Sequence, residues 1–317
     1  MTKPFQRRLR CSAVLVGALL VTGCQPAVLP SPTETSGSPS PSASPAVDMT
    51  QPGAAQAMVR RLVAASGSSR VIMVEVRHYA ASVSVLDASG KPVTWAYRDG
   101  RVQQVASDLA YVDQATFDPA KYDLSDVGAL FRAAAAVSGS DQQQELQIVD
   151  RQIIDHSASE ILMAVSTMPE TRTVFFYPDG TLLPTLDFRT EWGISRGLSD
   201  AIGSHTSAVQ VGVGTETGAY IDFPGPNQTT ARRQRTPKFP VTISQRNEQP
   251  SNAAFDPRLV RSEVVWRTLT NAASGSVPYT DSWSVVADDR ARLGTPRLYF
   301  TVGAQRFVTD LAGNRVQ

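Results

Sequence analysis

The chain has 317 residues, with 30 basic and 29 acidic side chains, a formal net charge of +1 and 42% hydrophobic residues. That balance excludes a dedicated nucleic-acid binder, which needs a basic excess to neutralise phosphates. The length suits one large domain or two ordinary ones. Cysteine is limited to Cys11 and Cys24, so the rest of the chain has no disulfide, thiolate metal site or cysteine nucleophile and must rely on a packed core.

Residues 1–23 have three parts. Lys3, Arg7, Arg8 and Arg10 make a positive start, Ala13 to Val21 an apolar run, and Thr22-Gly23 a small pair before Cys24. The apolar run is about half of the ~20 residues a spanning helix needs, which marks a signal peptide and not a transmembrane anchor. Val21-Thr22-Gly23-Cys24 resembles the lipobox of bacterial lipoproteins. This resemblance covers the first 24 residues only. It implies cleavage before Cys24, a diacylglyceryl group on its sulfur, and anchorage at the extracytoplasmic face of the cell membrane. Lysine is confined to Lys3, Lys91, Lys121 and Lys238; the arginine excess is the bias of a GC-rich genome, as in a GC-rich Gram-positive.

Residues 24–53 read as a tether. Pro26, Pro30, Pro32, Pro39, Pro41, Pro45 and Pro52 alternate with Ser, Thr and Gly, and too few aliphatic groups are present to offset the entropy of ordering. A flexible coil of this length spans ~30 Å, and ~90 Å when stretched as polyproline II.

From Ala54 onward helical and strand periods alternate. A first helix is expected over 54–66, with Ala55, Met58, Val59, Leu62 and Val63 on one stripe and Gly67 as its stop. A second is expected over 125–138, capped by Ser125 or Asp123, with Val127, Leu130, Phe131 and Ala134 inward. A third spans 190–204 under a Thr190 cap, and a fourth spans 257–273, opened by Asp256-Pro257. Strands are expected at Val71 to Val76, around Val83 and Val85, and at Val93 to Tyr97. More follow at Leu146 to Ile154, Ile161 to Thr167, Arg172 to Tyr177 and Leu182 to Phe188. The later set is Ala208 to Val213, Ala219 to Phe223, Val241 to Ser244, Ser282 to Ala287, Arg297 to Val302 and Arg306 to Leu311. Ser89-Gly90, Asp99-Gly100 and Asp179-Gly180 supply turns.

The helices start near 54, 124, 190 and 256, a period of roughly 67 residues. Phe117-Asp118-Pro119 recurs as Phe255-Asp256-Pro257, about two periods on. The expected fold is therefore α+β: about four helix-plus-antiparallel-meander units in two duplicated halves, 54–188 and 189–317. In shape this is similar to tandem modules of exported bacterial proteins such as PepSY-like domains and the β-lactamase inhibitory protein.

Five features invite chemistry. Gly193-Ile194-Ser195-Arg196-Gly197 matches a nucleophile elbow, but Ser195 falls inside the third expected helix and the one downstream histidine, His205, ends that same helix. Gly212-Val213-Gly214 lacks the third glycine and the following helix of a dinucleotide fingerprint. Asp288-Asp289 reads as a solvated turn. His78, His156 and His205 have no partners at ligand spacing, so neither a metal site nor a cofactor is expected. Arg232, Arg233, Arg235 and Lys238 form the main charge run, read as a solvated loop between strands that could meet an anionic partner. The function expected is a non-catalytic binding or scaffolding module, with an envelope protein, wall polymer or lipid as partner. The alternatives are a lipid or glycolipid carrier, which needs an apolar cavity of several hundred Å³, and, last, a hydrolase built on Ser195. A solute-binding protein would need parallel βαβ units in place of meanders.

Overall fold

The computed structural model describes residues 46–107, 114–152, 154–157, 160–169, 172–273 and 282–316, all within one compact unit. Cys24, the expected signal peptide and most of the expected tether lie outside the described residues. Among the described residues the fold is α+β, with four α-helices and two antiparallel seven-stranded sheets. No described helix is long and apolar enough to cross a membrane.

The first half runs α1 (Ala54–Ser66), β1 (Val71–Arg77), β2 (Ala80–Leu86), β3 (Pro92–Arg98), β4 (Arg101–Val105), α2 (Val127–Ser138), β5 (Glu145–Val149), β6 (Met163–Ser166) and β7 (Val174–Phe176). The second runs α3 (Glu191–Ile202), β8 (Gln210–Gly214), β9 (Gly218–Pro224), β10 (Thr230–Arg235), β11 (Val241–Arg246), α4 (Ser262–Ala272), β12 (Trp283–Asp288), β13 (Arg297–Val302) and β14 (Gln305–Thr309). The sheet orders are β4-β3-β2-β1-β5-β6-β7 and β11-β10-β9-β8-β12-β13-β14, one topology used twice. In each half the second meander joins the first edge to edge, so β1 and β8 become central strands. The repeated tripeptides hold equivalent posts. Phe117 N–H donates to Val71 O and Phe255 N–H to Ala208 O, both at 2.9 and 2.8 Å respectively. Asp118 and Asp256 each cap a 3₁₀ turn, accepting from the N–H groups of Ala120 and Arg258.

Each half buries its own apolar cluster. In the first, Met58, Val59 and Leu62 of α1 and Leu130 and Phe131 of α2 meet Val74, Val76, Val83, Leu146 and Ile148. In the second, Ile194 and Leu198 of α3 and Val265 and Leu269 of α4 meet Val211, Val213, Ile221, Val285 and Phe300. This is the stripe-on-sheet arrangement that the 3.6- and 2-residue periods require.

Several boundaries differ from expectation. The folded region starts before Ala54: Met49, placed in the tether, is fully buried in the first core, and its N–H donates to His78 O. The cap of α2 is Asp126, whose carboxylate accepts from Ala129 N–H at 2.7 Å; Asp123 instead closes a turn on Ser125 N–H. Asp256-Pro257 opens only a 3₁₀ turn, because Val260 turns extended (φ −84°, ψ 90°) and buries its side chain, so α4 begins at Ser262. Leu182 to Phe188 makes a single bridge to Phe176. Pro184 within it has no N–H for a ladder, and Leu186 N–H bonds to Pro237 O in the second half instead. The three arginines of the charge run lie on a strand, not a loop: β10 pairs with β9 and β11 along its whole length, and only Lys238 falls in the bend before β11.

Candidate functional site

The strand alternation of β10 sends its arginines to opposite faces. Arg233 and Arg235 point to the helix-covered side and are 2% and 1% exposed. Arg233 forks onto Glu160, with Nη1–Oε2 at 2.6 Å and Nη2–Oε1 at 2.9 Å, and donates to the Ala201 and Asp200 carbonyls at the end of α3. Arg235 reaches Asp200 Oδ2 at 3.2 Å and the carbonyls of Pro184, Thr236 and Phe239. Burial pushes the Arg235 guanidinium pKa down and Asp200 opposes the shift. Arg232 lies on the other face, forked onto Asp222 at 2.7 and 2.9 Å and stacked 3.8 Å from the Tyr220 ring centre. The fork raises its pKa. Of the four cations, Lys238 alone is exposed. The structure thus uses Arg232, Arg233 and Arg235 to pair with carboxylates of the chain itself and does not bring the four into one surface patch.

Glu160 belongs to the loop between β5 and β6, which joins the two halves. The Gln152 side chain docks on the edge strand β11 like an added residue: Nε2 donates to Val241 O and Oε1 accepts from Ile243 N–H, both at 3.1 Å. Asp155 lies 3.4 Å from His205 Nε2. The loop is turned at Asp150, 3% exposed, whose carboxylate accepts from the N–H groups of Ala115 and Gln152 and lies 2.6 Å from His156 Nδ1. On the far side Arg196 bridges Tyr177 OH and Asp200.

A trough starts on this seam and runs out over the first half in three connected recesses. One of about 260 Å³ has Leu162, Tyr177, Leu183 and Pro240 as walls with Arg233 and Arg235 at its floor. The next, about 110 Å³, shares Gln152, Glu160 and Leu162 with it and adds Arg151, Phe175 and Phe239. The two phenyl rings meet edge to face with centres 6.4 Å apart. The third, about 260 Å³, shares Arg151 and Phe175 and extends over Gln147, Ser166 and Thr173.

The remaining motifs resolve into structural roles. Ser195 is an exposed residue in the middle of α3, not on a strand-to-helix turn. His205 Nδ1 lies against Ile202 O, His156 is held by Asp150, and His78 packs on Phe131. Gly212 is small because the Tyr220 ring lies over it; a Cβ there would sit 2.2 Å from that ring. Asp288-Asp289 is buried, at 1% and 5% exposure, and not solvated. Asp288 binds Arg290 and Gln210. Burial raises its pKa, but those bonds outweigh that and hold it low. Asp289 accepts from Leu293 and Gly294 N–H. Among the described residues no group of three His, Cys, Asp or Glu side chains could hold a metal ion. Arg151 and Gln152, the seam residues that matter most, carried no sequence signal beyond lying at the end of an expected strand. No protein-family model matches the chain, and no significant match is found among curated proteins.

Proposed function

We propose that this protein is an extracytoplasmic lipoprotein, anchored by a diacylglyceryl group on Cys24, whose folded part is a non-catalytic binding or scaffolding module at the cell envelope. The anchor rests on the ordered run of basic start, apolar segment and Val21-Thr22-Gly23-Cys24. The observation that carries the binding role is the trough. Each half has its own filled core, and two of the recesses are lined by residues of both halves, with apolar side chains on their walls and the Arg233–Glu160 ion pair beside them; the third continues the trough over the first half. A lipid carrier calls for a dry apolar cavity of several hundred Å³; the largest recesses described are about 260 Å³, open and partly polar, which favours the binder. The hydrolase alternative loses its support with Ser195 set mid-helix and each histidine engaged elsewhere.

The test has two arms. Wild-type protein should take up a fatty-acid label and fractionate with membranes, whereas Cys24→Ala should lose the label and leave the membrane or stay unprocessed. A mutant that is processed and membrane-bound as before sinks the anchor. Purified full chain should be retained by isolated envelope well above the level it shows on lipid vesicles, where the anchor alone holds it. Retention on the envelope no greater than on lipid vesicles sinks the binding role.

A further inference from the structure

Three described cations line the trough, and they are not equivalent. Arg233 and Arg235 have carboxylates and carbonyls on their donors. Arg151 has none of this. Its one hydrogen bond runs from Nη2 to the Gln147 side-chain oxygen at 3.0 Å, and no carboxylate pairs with it among the described residues. Gln147 cannot turn its amide away, because its NH₂ group is held by Glu145 at 2.6 Å and Glu75 at 3.3 Å. The surrounding protein pushes the Arg151 pKa down, while its exposed side chain still reaches water. Crowded by protein and without a carboxylate among the described residues, this arginine has most of its five donors open to an anion from outside.

The nearby acids among the described residues do not fill that role. Asp150 is occupied by two backbone N–H groups and His156. Glu160 is forked by Arg233. Glu145 is paired with Arg77 at 2.5 Å, and Glu75 accepts from Ser82 and Gln147. On one side of Arg151 lies the recess of about 110 Å³ with Leu162, Phe175, Phe239 and Pro240 on its walls. An apolar cavity of about 150 Å³ takes a benzene ring, so this one suits a branched aliphatic group or a small ring. On the other side lies the wider recess with the hydroxyls of Ser166 and Thr173.

We propose that the trough binds an organic anion, with a carboxylate or phosphate group on Arg151 and an apolar group the size of one amino-acid side chain between Phe175 and Phe239. This deepens the binding-module reading and rests on it. The planar guanidinium suits either oxyanion, since both present two oxygens to its fork. The neighbouring apolar recess adds selectivity for an anion that carries a hydrophobic substituent.

Ligand-observed saturation-transfer NMR on the full chain in detergent tests this, with N-acetylphenylalanine, its uncharged amide and phenyl phosphate as probes. A charged probe should bind roughly tenfold or more tightly than the amide, the worth of one charge-assisted hydrogen bond. Arg151→Gln should bring the charged probe down to the level of the amide without moving the melting temperature. Phe239→Ser, at a half-exposed position, should weaken all probes. A response to N-acetylphenylalanine alone assigns a carboxylate ligand, to phenyl phosphate alone a phosphate ligand, and to both the shared chemistry. The proposal is overturned if no probe binds at millimolar concentration, if the amide binds as tightly as the charged probes, or if Arg151→Gln binds as wild type does. If those failures occur while envelope retention above the vesicle level persists, the fault lies in this ligand assignment; if that excess is also lost, it lies in the binding role.

Discussion

At the scale of single residues, the arginines show how weakly side-chain type predicts role. Arg233 and Arg235 lie on a buried strand face and are kept there by partners distant in sequence, Glu160 and Asp200. Removing one member of such a pair costs several kcal/mol, because the other is left charged without its partner. Tyr122 allows a pH test. It is 3% exposed, donates to Ile161 O at 3.2 Å and packs edge-on against Phe117; burial pushes its phenol up to about 12. The unfolded chain loses that proton near pH 10, ahead of the native state. The native state therefore binds more protons between pH 10 and 12, and stability falls across that window. Denaturant titration of wild type and Tyr122→Phe should show the wild-type advantage present at pH 9 and shrinking above pH 10 by about 1.4 kcal/mol per unit. A gap between the two proteins that stays constant up to pH 11.5 would contradict a buried phenol at this site.

Elements were legible to the extent that their signals are local. The stripes of α1 and α3, the Thr190 cap with Gly193 N–H at 3.0 Å and the Gly67 stop depend on neighbours within a turn or two, and all are present as expected. The cap of α2 was harder, because Asp123, Ser125 and Asp126 are all good capping residues in the sequence. What selects Asp126 is its geometry against Ala129 N–H. Asp126→Ala should therefore cost about 1 kcal/mol in chemical denaturation, while Ser125→Ala should change stability by no more than a few tenths. The reverse order would reinstate the sequence-based cap. β10 was missed for a different reason. A half-buried strand normally advertises itself by polar and apolar alternation, and here both faces carry arginine.

For the whole molecule, the duplicated topology gives each half a separate core, and the β5–β6 loop fastens them through Gln152, Asp155 and Glu160. The folded unit also takes in more chain than composition suggested. Met49 fills the first core, and Gly53 N–H is bound by Ser125 O at 2.7 Å. A chain shortened to begin at Ala46 should melt as the full one does. One shortened to begin at Ala54 should lose about 2–5 kcal/mol, the range for emptying a buried methionine site. Equal melting temperatures for the two truncations would mean that Met49 adds nothing to the core.

By itself the sequence determined the class of structure. The 3.6- and 2-residue periods specify helices and meanders, and the recurring Phe-Asp-Pro with the helix phase specifies duplication, because both are written in residues close together along the chain. The tether and Cys24 are likewise readings of local pattern, and they await the labelling experiment. Tertiary structure alone decided which charges are spent and which are free. Arg233 finds Glu160, and Gln152 finds the edge of β11, only when the halves come together. Among the described residues Arg151 is distinguished by having no carboxylate partner. Pairing of charges is a matter of distance in space, and distances across a seam between halves leave no periodic trace in the order of residues.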